Sequence, residues 1–166
     1  MIEVKAVRDS SEIENVAGLA REIWYEHYVP IIGRAQVDYM VPKFQSAPAI
    51  AEQLAGGFEY FLIALNGMHA GYFAIRRQPA EQSLFISKLY VRKDMRGRGL
   101  ARHALGFIDS LCRQSALKIM WLTVNKANPA VDAYGQLGFK NIADVVADIG
   151  NGFVMDDYRV EKAVDG

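Results

Sequence analysis

The stretch Leu84–Arg113, LFISKLYVRKDMRGRGLARHALGFIDSLCR, decides the fold because a strand-like run meets a helix-like run within it. Residues 84–91 are apolar and partly aromatic over about the length of one strand. From Gly99 onward apolar residues recur at helical spacing, and the charged residues fall mainly on the other side. The stretch therefore predicts a strand, a turn and a helix in that order.

The turn itself has the sequence Arg96-Gly97-Arg98-Gly99-Leu100-Ala101. Its two glycines permit a tight turn and leave backbone N–H groups uncovered at a helix N-terminus, which favours an anion, most naturally phosphate. Neither standard nucleotide loop fits, because no Gly-x-x-x-x-Gly-Lys-Ser/Thr run is present and the third fingerprint glycine is replaced by Arg102. On local physics alone, a plain turn with solvated arginines is the alternative.

Length and charge limit the classes of protein. A chain of 166 residues is most simply one domain, residues 1–166, with 51% apolar and 23% charged residues. Lys plus Arg equals Asp plus Glu at 19 each, so the formal net charge is zero. The overall charge therefore does not favour nucleic-acid binding. The N-terminus does not resemble a signal peptide and no apolar run is long enough for a membrane span, so a cytoplasmic protein without membrane contact is expected.

Cysteine and histidine give no sign of a metal site or a covalent nucleophile. The single cysteine, Cys112, cannot form an intrachain disulfide and falls on the apolar stripe of the predicted helix, so we expect a core residue. His27, His69 and His103 lack metal-ligand spacing, and no Gly-x-Ser-x-Gly elbow is present. No metal is expected.

Periodicity and turn signals predict the remaining elements. A first helix is capped at Asp9 and runs towards Trp24, with its aromatic cluster stopping at Pro30, and Asn66-Gly67 predicts a hairpin. The other predicted elements are a strand at 2–7, helical stretches at 36–44 and 48–54, strands at 58–65, 68–76 and 118–124, a helix at 129–137 and two strands within 139–164. The sum is a mixed α/β (α+β) domain in the order βααβββαβαββ, starting as an antiparallel meander and containing one central parallel pair.

With these residues the chain resembles the GNAT superfamily of acetyl-CoA-dependent N-acetyltransferases. The turn at residues 96–101 matches the family's Gln/Arg-x-x-Gly-x-Gly/Ala loop, preceded by Leu89-Tyr90-Val91. Asn128, with Tyr134 and a closing Leu-Gly-Phe at 137–139, is similar to the family's last helical segment. The resemblance implies a GNAT-like fold, a mostly antiparallel mixed sheet with a central parallel strand pair flanked by helices.

The resemblance also implies a cofactor site. Backbone N–H groups of Arg96, Gly97, Arg98, Gly99, Leu100 and Ala101 would hold the pyrophosphate of acetyl-CoA, assisted by the helix dipole. Main-chain groups of Leu89, Tyr90 and Val91 would pair with the pantetheine arm. Asn128 would contact the coenzyme or cap the following helix, and the sequence leaves both readings open.

By the same resemblance Tyr134 is the catalytic acid that protonates the leaving thiolate, since a tyrosine of ordinary pKa is protonated at neutral pH. The general base is not evident, because Ser87 stands where some members carry glutamate. A water relay, Glu22, Glu26, Asp156, Asp157 or an already neutral amine all remain open. Trp24, Tyr28 and Tyr39 are candidate substrate contacts, and helical cover over the sheet is their alternative role.

The predicted function is transfer of an acetyl group from acetyl-CoA to a primary amine by direct attack. The acceptor would be a small molecule, polyamine-like or amino-acid-like, or a peptide or protein amine. A non-catalytic acyl-CoA-binding sensor domain is the alternative, favoured by Ser87. No nucleic-acid partner is expected, and dimerisation through the terminal strands stays open.

Overall fold

The computed structural model of the protein describes residues 1–164. The elements, in chain order, are β1 (Ile2–Ala6), α1 (Ser10–Ile32), α2 (Arg34–Phe44), α3 (Ala47–Ala55), β2 (Glu59–Leu65), β3 (Met68–Gln78), β4 (Ser83–Val91), α4 (Leu100–Gln114), β5 (Ile119–Asn125), α5 (Ala130–Gln136), β6 (Lys140–Gly150) and β7 (Phe153–Ala163). Short 3₁₀ turns occupy Pro79–Glu81 and Lys93–Met95. Within these residues two compact units form, one from residues 1–76 with 88–106 and the other from 77–87 with the chain from 107 onward.

The first unit contains β1, the three N-terminal helices, β2, most of β3, the end of β4 and the start of α4. β1 and β2 pair antiparallel, and β2 and β3 form the hairpin predicted at Asn66-Gly67, where both residues have positive φ. α1 begins with a capping box between Asp9 and Glu12, which confirms the predicted cap. The core of this first unit is aliphatic and aromatic and includes Ile23, Ile50, Ile63, Phe73 and Ile75.

The first helix is longer than the predicted run towards Trp24. It continues past Pro30, where the aromatic cluster ends, to Ile32, and Gly33 caps it by donating its N–H to the Val29 carbonyl. Pro30 is tolerated because only the last turn follows it, so a single lost hydrogen bond is affected. Residues 34–44 and 47–55 form separate helices with Ser46 as N-cap of the second, which confirms the helical stretches predicted at 36–44 and 48–54. The summary order βααβββαβαββ leaves out one of the three helices between β1 and β2.

The second unit contains the start of β4, the end of α4, β5, α5, β6 and β7. β4 and β5 run parallel, as predicted, but their register joins only Ser83–Phe85 to Ile119–Trp121. β7 pairs antiparallel with both β5 and β6, and β6 and β7 turn at residues 150–152. Leu84, Ile108, Met120 and Val160 belong to its core.

The sheet confirms the predicted fold class. Its strand order is β1-β2-β3-β4-β5-β7-β6, and β4 with β5 is its parallel pair among mostly antiparallel neighbours. β4 runs on to Val91, but its parallel pairing with β5 ends at Phe85. The second half of β4 therefore lies beyond that pairing. The candidate site is built around this second half and the turn that follows it.

Candidate active site

The turn before α4 has the backbone that the sequence predicts for an anion site. Gly97 (φ +76°) and Gly99 (φ +78°) both adopt the left-handed conformation that favours glycine. α4 begins at Leu100 directly after them, so the first N–H groups of a 15-residue helix lie at the turn without carbonyl partners inside the helix. The side chains of Arg98 and Arg102 are exposed beside them. The turn thus combines free N–H donors, the positive end of a helix and two cationic side chains.

Arg96, the first residue of the turn, is engaged by the first unit rather than pointing freely to solvent. Its Nη2 lies 2.7 Å from Glu26 Oε1 on α1, and its Nε donates to the Val91 carbonyl oxygen at 3.0 Å. Arg92 makes a second link to α1 through Glu22, with 3.5 Å between Nη2 and Oε1. These ion pairs fasten the end of β4 and the turn to α1. A phosphate contact of Arg96 stays a prediction.

The end of β4 is backed closely by β3. A Cβ atom placed on Gly71 would lie 2.2 Å from the Tyr90 carbonyl oxygen and 3.1 Å from the Val91 Cα. The Arg92 N–H donates to the Ala70 carbonyl at 2.8 Å just beyond it. Only glycine permits this approach, which fixes the backbone of Leu89–Val91, the segment predicted to meet the pantetheine arm.

An aromatic cluster brings two predicted substrate residues to a predicted cofactor residue. Ring centroids lie 4.3 Å apart for Trp24 and Tyr28, 5.7 Å for Trp24 and Tyr90, and 6.0 Å for Tyr28 and Tyr90. Tyr72 of β3 joins at 5.4 Å from Tyr90. Most pairs are edge-to-face, the arrangement that aromatic quadrupoles favour. Tyr39 lies on α2, where its hydroxyl accepts a hydrogen bond from Lys43 at 2.7 Å.

The cluster also holds buried polar atoms. Trp24 is 3% exposed, and its Nε1 completes no hydrogen bond within residues 1–164, although the Tyr72 hydroxyl is close enough to interact with it. The Tyr72 hydroxyl donates to Gln45 Oε1 at 2.8 Å, and burial raises the Tyr72 pKa well above its usual range. A buried indole N–H usually finds an acceptor, and the Tyr72 hydroxyl is the polar group beside it.

Sequence reasoning missed a buried lysine on β4. Lys88 is 8% exposed, and its Nζ donates to the Phe44 carbonyl at 2.6 Å, to Gln53 Oε1 at 3.1 Å and to the Tyr60 hydroxyl. Burial lowers the Lys88 pKa to about 7. The signal that could have found it is the two-residue period of a strand, which places Lys88 on the same buried face as Leu84 and Ile86.

The second unit contains Asn128 and Tyr134. Asn128 is buried, and its Oδ1 accepts the Ala130 N–H at 2.9 Å, so the side chain supports the start of α5. Tyr134 lies half-buried on α5 with its ring 5.5 Å from that of Phe139 at a steep angle, and its carbonyl accepts the Phe139 N–H at 3.0 Å. The closing Gly138, with φ +99°, allows this fold-back. Neither residue's chemical role is tested by these contacts.

Cys112, the acidic and histidine side chains and the helix lengths can be described in turn. Cys112 is fully buried, and burial with the nearby Asp109 raises its pKa to about 11, so it is a core thiol as predicted. Within residues 1–164 no three His, Cys, Asp or Glu side chains come together as metal ligands. In the same range, no helix has both the length and the apolar character needed to span a membrane.

Together, these features define a class. A mixed sheet whose parallel strands part after three residue pairs, followed by a glycine turn at the start of a long helix, is the framework of acyl-CoA-dependent N-acyltransferases. The family model described as an acetyltransferase (GNAT) domain matches residues 29–162, which is more than half of the chain. The chain therefore belongs to the GNAT acetyltransferase family, and the resemblance seen in the sequence is confirmed.

Solved structures share this fold at low sequence identity, and no curated protein matches the chain in sequence. The PaiA N-acetyltransferase of Thermoplasma acidophilum in complex with coenzyme A has a TM-score of 0.81 and 15% identity, covering 98% of this chain and 99% of its own. The ribosomal-protein-S18-alanine N-acetyltransferase of Escherichia coli has a TM-score of 0.69 and 15% identity, covering 100% and 96%. A chimera of the Vibrio cholerae spermidine N-acetyltransferase SpeG with hSSAT has a TM-score of 0.71 and 16% identity, covering 98% and 94%.

Proposed function

We propose that the protein moves an acetyl group from acetyl-CoA to a primary amine by direct attack of the amine nitrogen on the thioester. Family membership supports acetyl transfer, and the left-handed glycine turn at the start of α4 is the observation that carries the choice of donor. The acceptor is a small molecule, polyamine-like or amino-acid-like, or a peptide or protein amine. The relatives named above act on acceptors of both kinds by their names.

Acetyl-CoA would bind through the backbone of the first unit. The N–H groups of residues 97–101 would hold the pyrophosphate, and the exposed Arg98 and Arg102 would add charge-assisted contacts. Arg96, held by Glu26, keeps the turn in place, so we assign it a positioning role in addition to the phosphate contact that the resemblance implies. The main chain of Leu89–Val91, fixed by Gly71, would pair with the pantetheine arm.

Three side chains complete the proposed site. Asn128 supports the start of α5 with its Oδ1, so its coenzyme contact would use the side-chain amide N–H. Tyr134 would protonate the departing thiolate, the role that the family resemblance gives it. Trp24 and Tyr28, whose rings lie beside that of Tyr90, would contact the acceptor amine or the acyl group. Tyr39 is the less supported substrate contact, since its hydroxyl binds Lys43.

Donor binding is tested with a pair of glycine variants that share the same strain. Gly99 (φ +78°) and Gly67 (φ +82°) have nothing within 4 Å of an added Cβ, so alanine costs about 1 to 2 kcal/mol of backbone strain at either position. We expect Gly99→Ala to weaken acetyl-CoA binding at least tenfold by calorimetry, while Gly67→Ala leaves it unchanged. Gly99→Ala should leave binding of S-acetylpantetheine, which lacks the pyrophosphate, unchanged. Equal effects of both variants on acetyl-CoA would contradict a pyrophosphate site at the turn.

Turnover distinguishes the enzyme from a non-catalytic binding domain, the second candidate, which Ser87 in place of glutamate favours. Release of coenzyme A thiol is measured with spermidine, kanamycin and a hexapeptide that begins with alanine. Tyr134→Phe should lower kcat about 100-fold or more with acetyl-CoA affinity unchanged. Tyr25→Phe is the control, because its hydroxyl binds Asp38 on the exposed side of α1. Binding without turnover for every amine would support the second candidate.

A further inference from the structure

The four acidic side chains that sequence reasoning left open as general base differ sharply in their surroundings. Glu22, Glu26 and Asp156 are each paired with a cation: Arg92 at 3.5 Å, Arg96 at 2.7 Å and Lys126 at 3.0 Å, respectively. Glu22 and Asp156 also have more than half of their side-chain surface exposed. A carboxylate that is ion-paired and solvated is a weak proton acceptor at neutral pH. Asp157 is the exception.

Asp157 is buried and incompletely hydrogen-bonded. The residue is 6% exposed, and within residues 1–164 it takes part in no ion pair. The Thr123 side chain hydrogen-bonds to its carboxyl group, whereas its Oδ1 is buried without a hydrogen-bond partner in the same range. Native structures rarely leave a buried carboxylate oxygen unpaired, so this oxygen marks a functional site or a bound partner.

The position of Asp157 fits that of a group that works on the reacting amine. On β7 its Cα pairs with Asn125, the last residue of β5. The parallel pairing of β5 with β4 ends at Trp121, so Thr123 and Asn125 belong to the part of β5 that is no longer paired with β4. Asp157 on β7 lies beside this part. Thr123, Asn125 and Asp157 share one face of the sheet by the two-residue period.

Burial and the neighbouring groups together set the pKa of Asp157. Burial has the largest effect, and Asp156 next to it also disfavours the charged form, while Lys126 and the Thr123 hydrogen bond act in the other direction. The net result raises the Asp157 pKa to about 6. Arg159, two residues along β7, is turned to Glu161 at 3.5 Å and to the Trp121 ring at 3.8 Å. Such a group is ionised at pH 7 yet more basic than an ordinary aspartate.

We propose that Asp157 is the general base that deprotonates the acceptor amine, with Thr123 as the residue that positions its carboxylate. This inference rests on the proposed acetyl transfer. The ammonium gives one proton to Asp157 Oδ1, which passes it to solvent, and the freed nitrogen lone pair attacks the thioester carbon. As the C–S bond breaks, the nitrogen gives its second surplus proton to water and the coenzyme A thiolate takes one from Tyr134, which is then reprotonated from solvent. The products are the amide, coenzyme A thiol and one released proton.

The test is the pH profile of kcat/KM between pH 5 and 9, with the fastest of spermidine, kanamycin and the alanine hexapeptide as acceptor. For wild type, log kcat/KM should rise with a slope of one below about pH 6 and level off above it; this rising part is the acid limb. Asp157→Asn, which keeps the shape, should lose this limb and fall about 100-fold or more in kcat/KM, with unchanged acetyl-CoA affinity. The neighbouring Asp156→Asn is the matched control, and its kcat/KM should stay within about threefold of wild type on the plateau above about pH 7.

Two further variants keep the inference testable if Asp157→Asn does not fold. Lys126→Met should move the limb to higher pH and Asp156→Asn to lower pH, because these charges act on Asp157 in opposite directions. Shifts of this kind would not arise if Asp157 were only structural. An unchanged limb in Asp157→Asn, or in both neighbouring variants, overturns the assignment. Loss of wild-type turnover with every amine would instead count against the proposed acetyl transfer.

Discussion

The buried ammonium of Lys88 makes a quantitative prediction about the stability of the first unit. Its Nζ donates to the Phe44 carbonyl, to Gln53 and to Tyr60, and thereby links β4 to the end of α2, to α3 and to β2. Burial lowers its pKa from 10.5 to about 7, so between these pH values the unfolded chain binds a proton that the folded chain does not. The site therefore destabilises the folded protein fully below pH 7, and this cost diminishes as the pH rises towards 10.5.

Replacement by methionine removes the titration and keeps the length of the side chain. From pH 7 to pH 9, the unfolding free energy of wild type should rise by about 2 kcal/mol relative to Lys88→Met. The Phe44 carbonyl keeps the hydrogen bond from the Gln53 side chain, and Gln53 Oε1 keeps the one from the Tyr60 hydroxyl. The variant therefore loses only the hydrogen bonds of Lys88, at about 0.5 to 1.5 kcal/mol each, which gives a constant offset at every pH. Only the pH-dependent part measures the perturbed ammonium.

Urea titrations at half-unit pH intervals, followed by circular dichroism, would measure both proteins. Lys93→Met is the control, since this lysine is exposed in the 3₁₀ turn after β4, and its curve should run parallel to wild type. If the difference between wild type and Lys88→Met is the same at pH 7 and pH 9, the three acceptors keep Lys88 charged and the reasoning from burial is refuted.

Two further stability predictions follow from the strands. Gly71→Ala should destabilise the protein by about 3 kcal/mol in urea unfolding, because the new Cβ would strike the Tyr90 carbonyl, whereas Gly106→Ala in the open middle of α4 should be neutral or slightly stabilising. Equal effects of both substitutions would contradict the close approach of β3 to β4. Because the Asp157 pKa is raised from 3.8 to about 6, the folded state binds more protons between these values and wild-type stability falls as the pH rises. Relative to Asp157→Asn, wild type should lose about 2 kcal/mol of unfolding free energy between pH 4 and pH 8, and a pH-independent difference would show that the carboxyl group is not perturbed.

Local signals in the sequence predicted most of the elements. The strand, turn and helix of residues 84–113, the hairpin at Asn66-Gly67 and the cap at Asp9 each depend on neighbours in sequence, and the structure confirms them. The extension of α1 past Pro30 was missed, because proline is a strong breaker only in a helix interior and its tolerance near an end depends on the following residues. The division of residues 34–55 into two helices was predicted, although the summary order left one of them out.

The site was predictable only where a contiguous motif carried it. The turn at residues 96–101 is such a motif, and its glycine conformations were foreseeable from sequence. Alternation along β4 could have placed Lys88 on the buried face, whereas its hydrogen-bond partners, like the burial of Asp157, come from strands and helices that are distant in sequence. Adjacent aspartates at 156 and 157 look equivalent in the sequence, yet alternation along β7 leaves one exposed beside Lys126 and buries the other beside Thr123.

The central claim, acetyl transfer from acetyl-CoA to an amine, is tested most directly by measuring two products in one reaction. Coenzyme A thiol release and acetylated amine would be followed together, by thiol reagent and mass spectrometry, for the three acceptors named above. Acetyl transfer predicts that both products form in a ratio of one to one, with saturation in acetyl-CoA, for at least one acceptor. Saturable acetyl-CoA binding with no acetylated amine from any acceptor would contradict it.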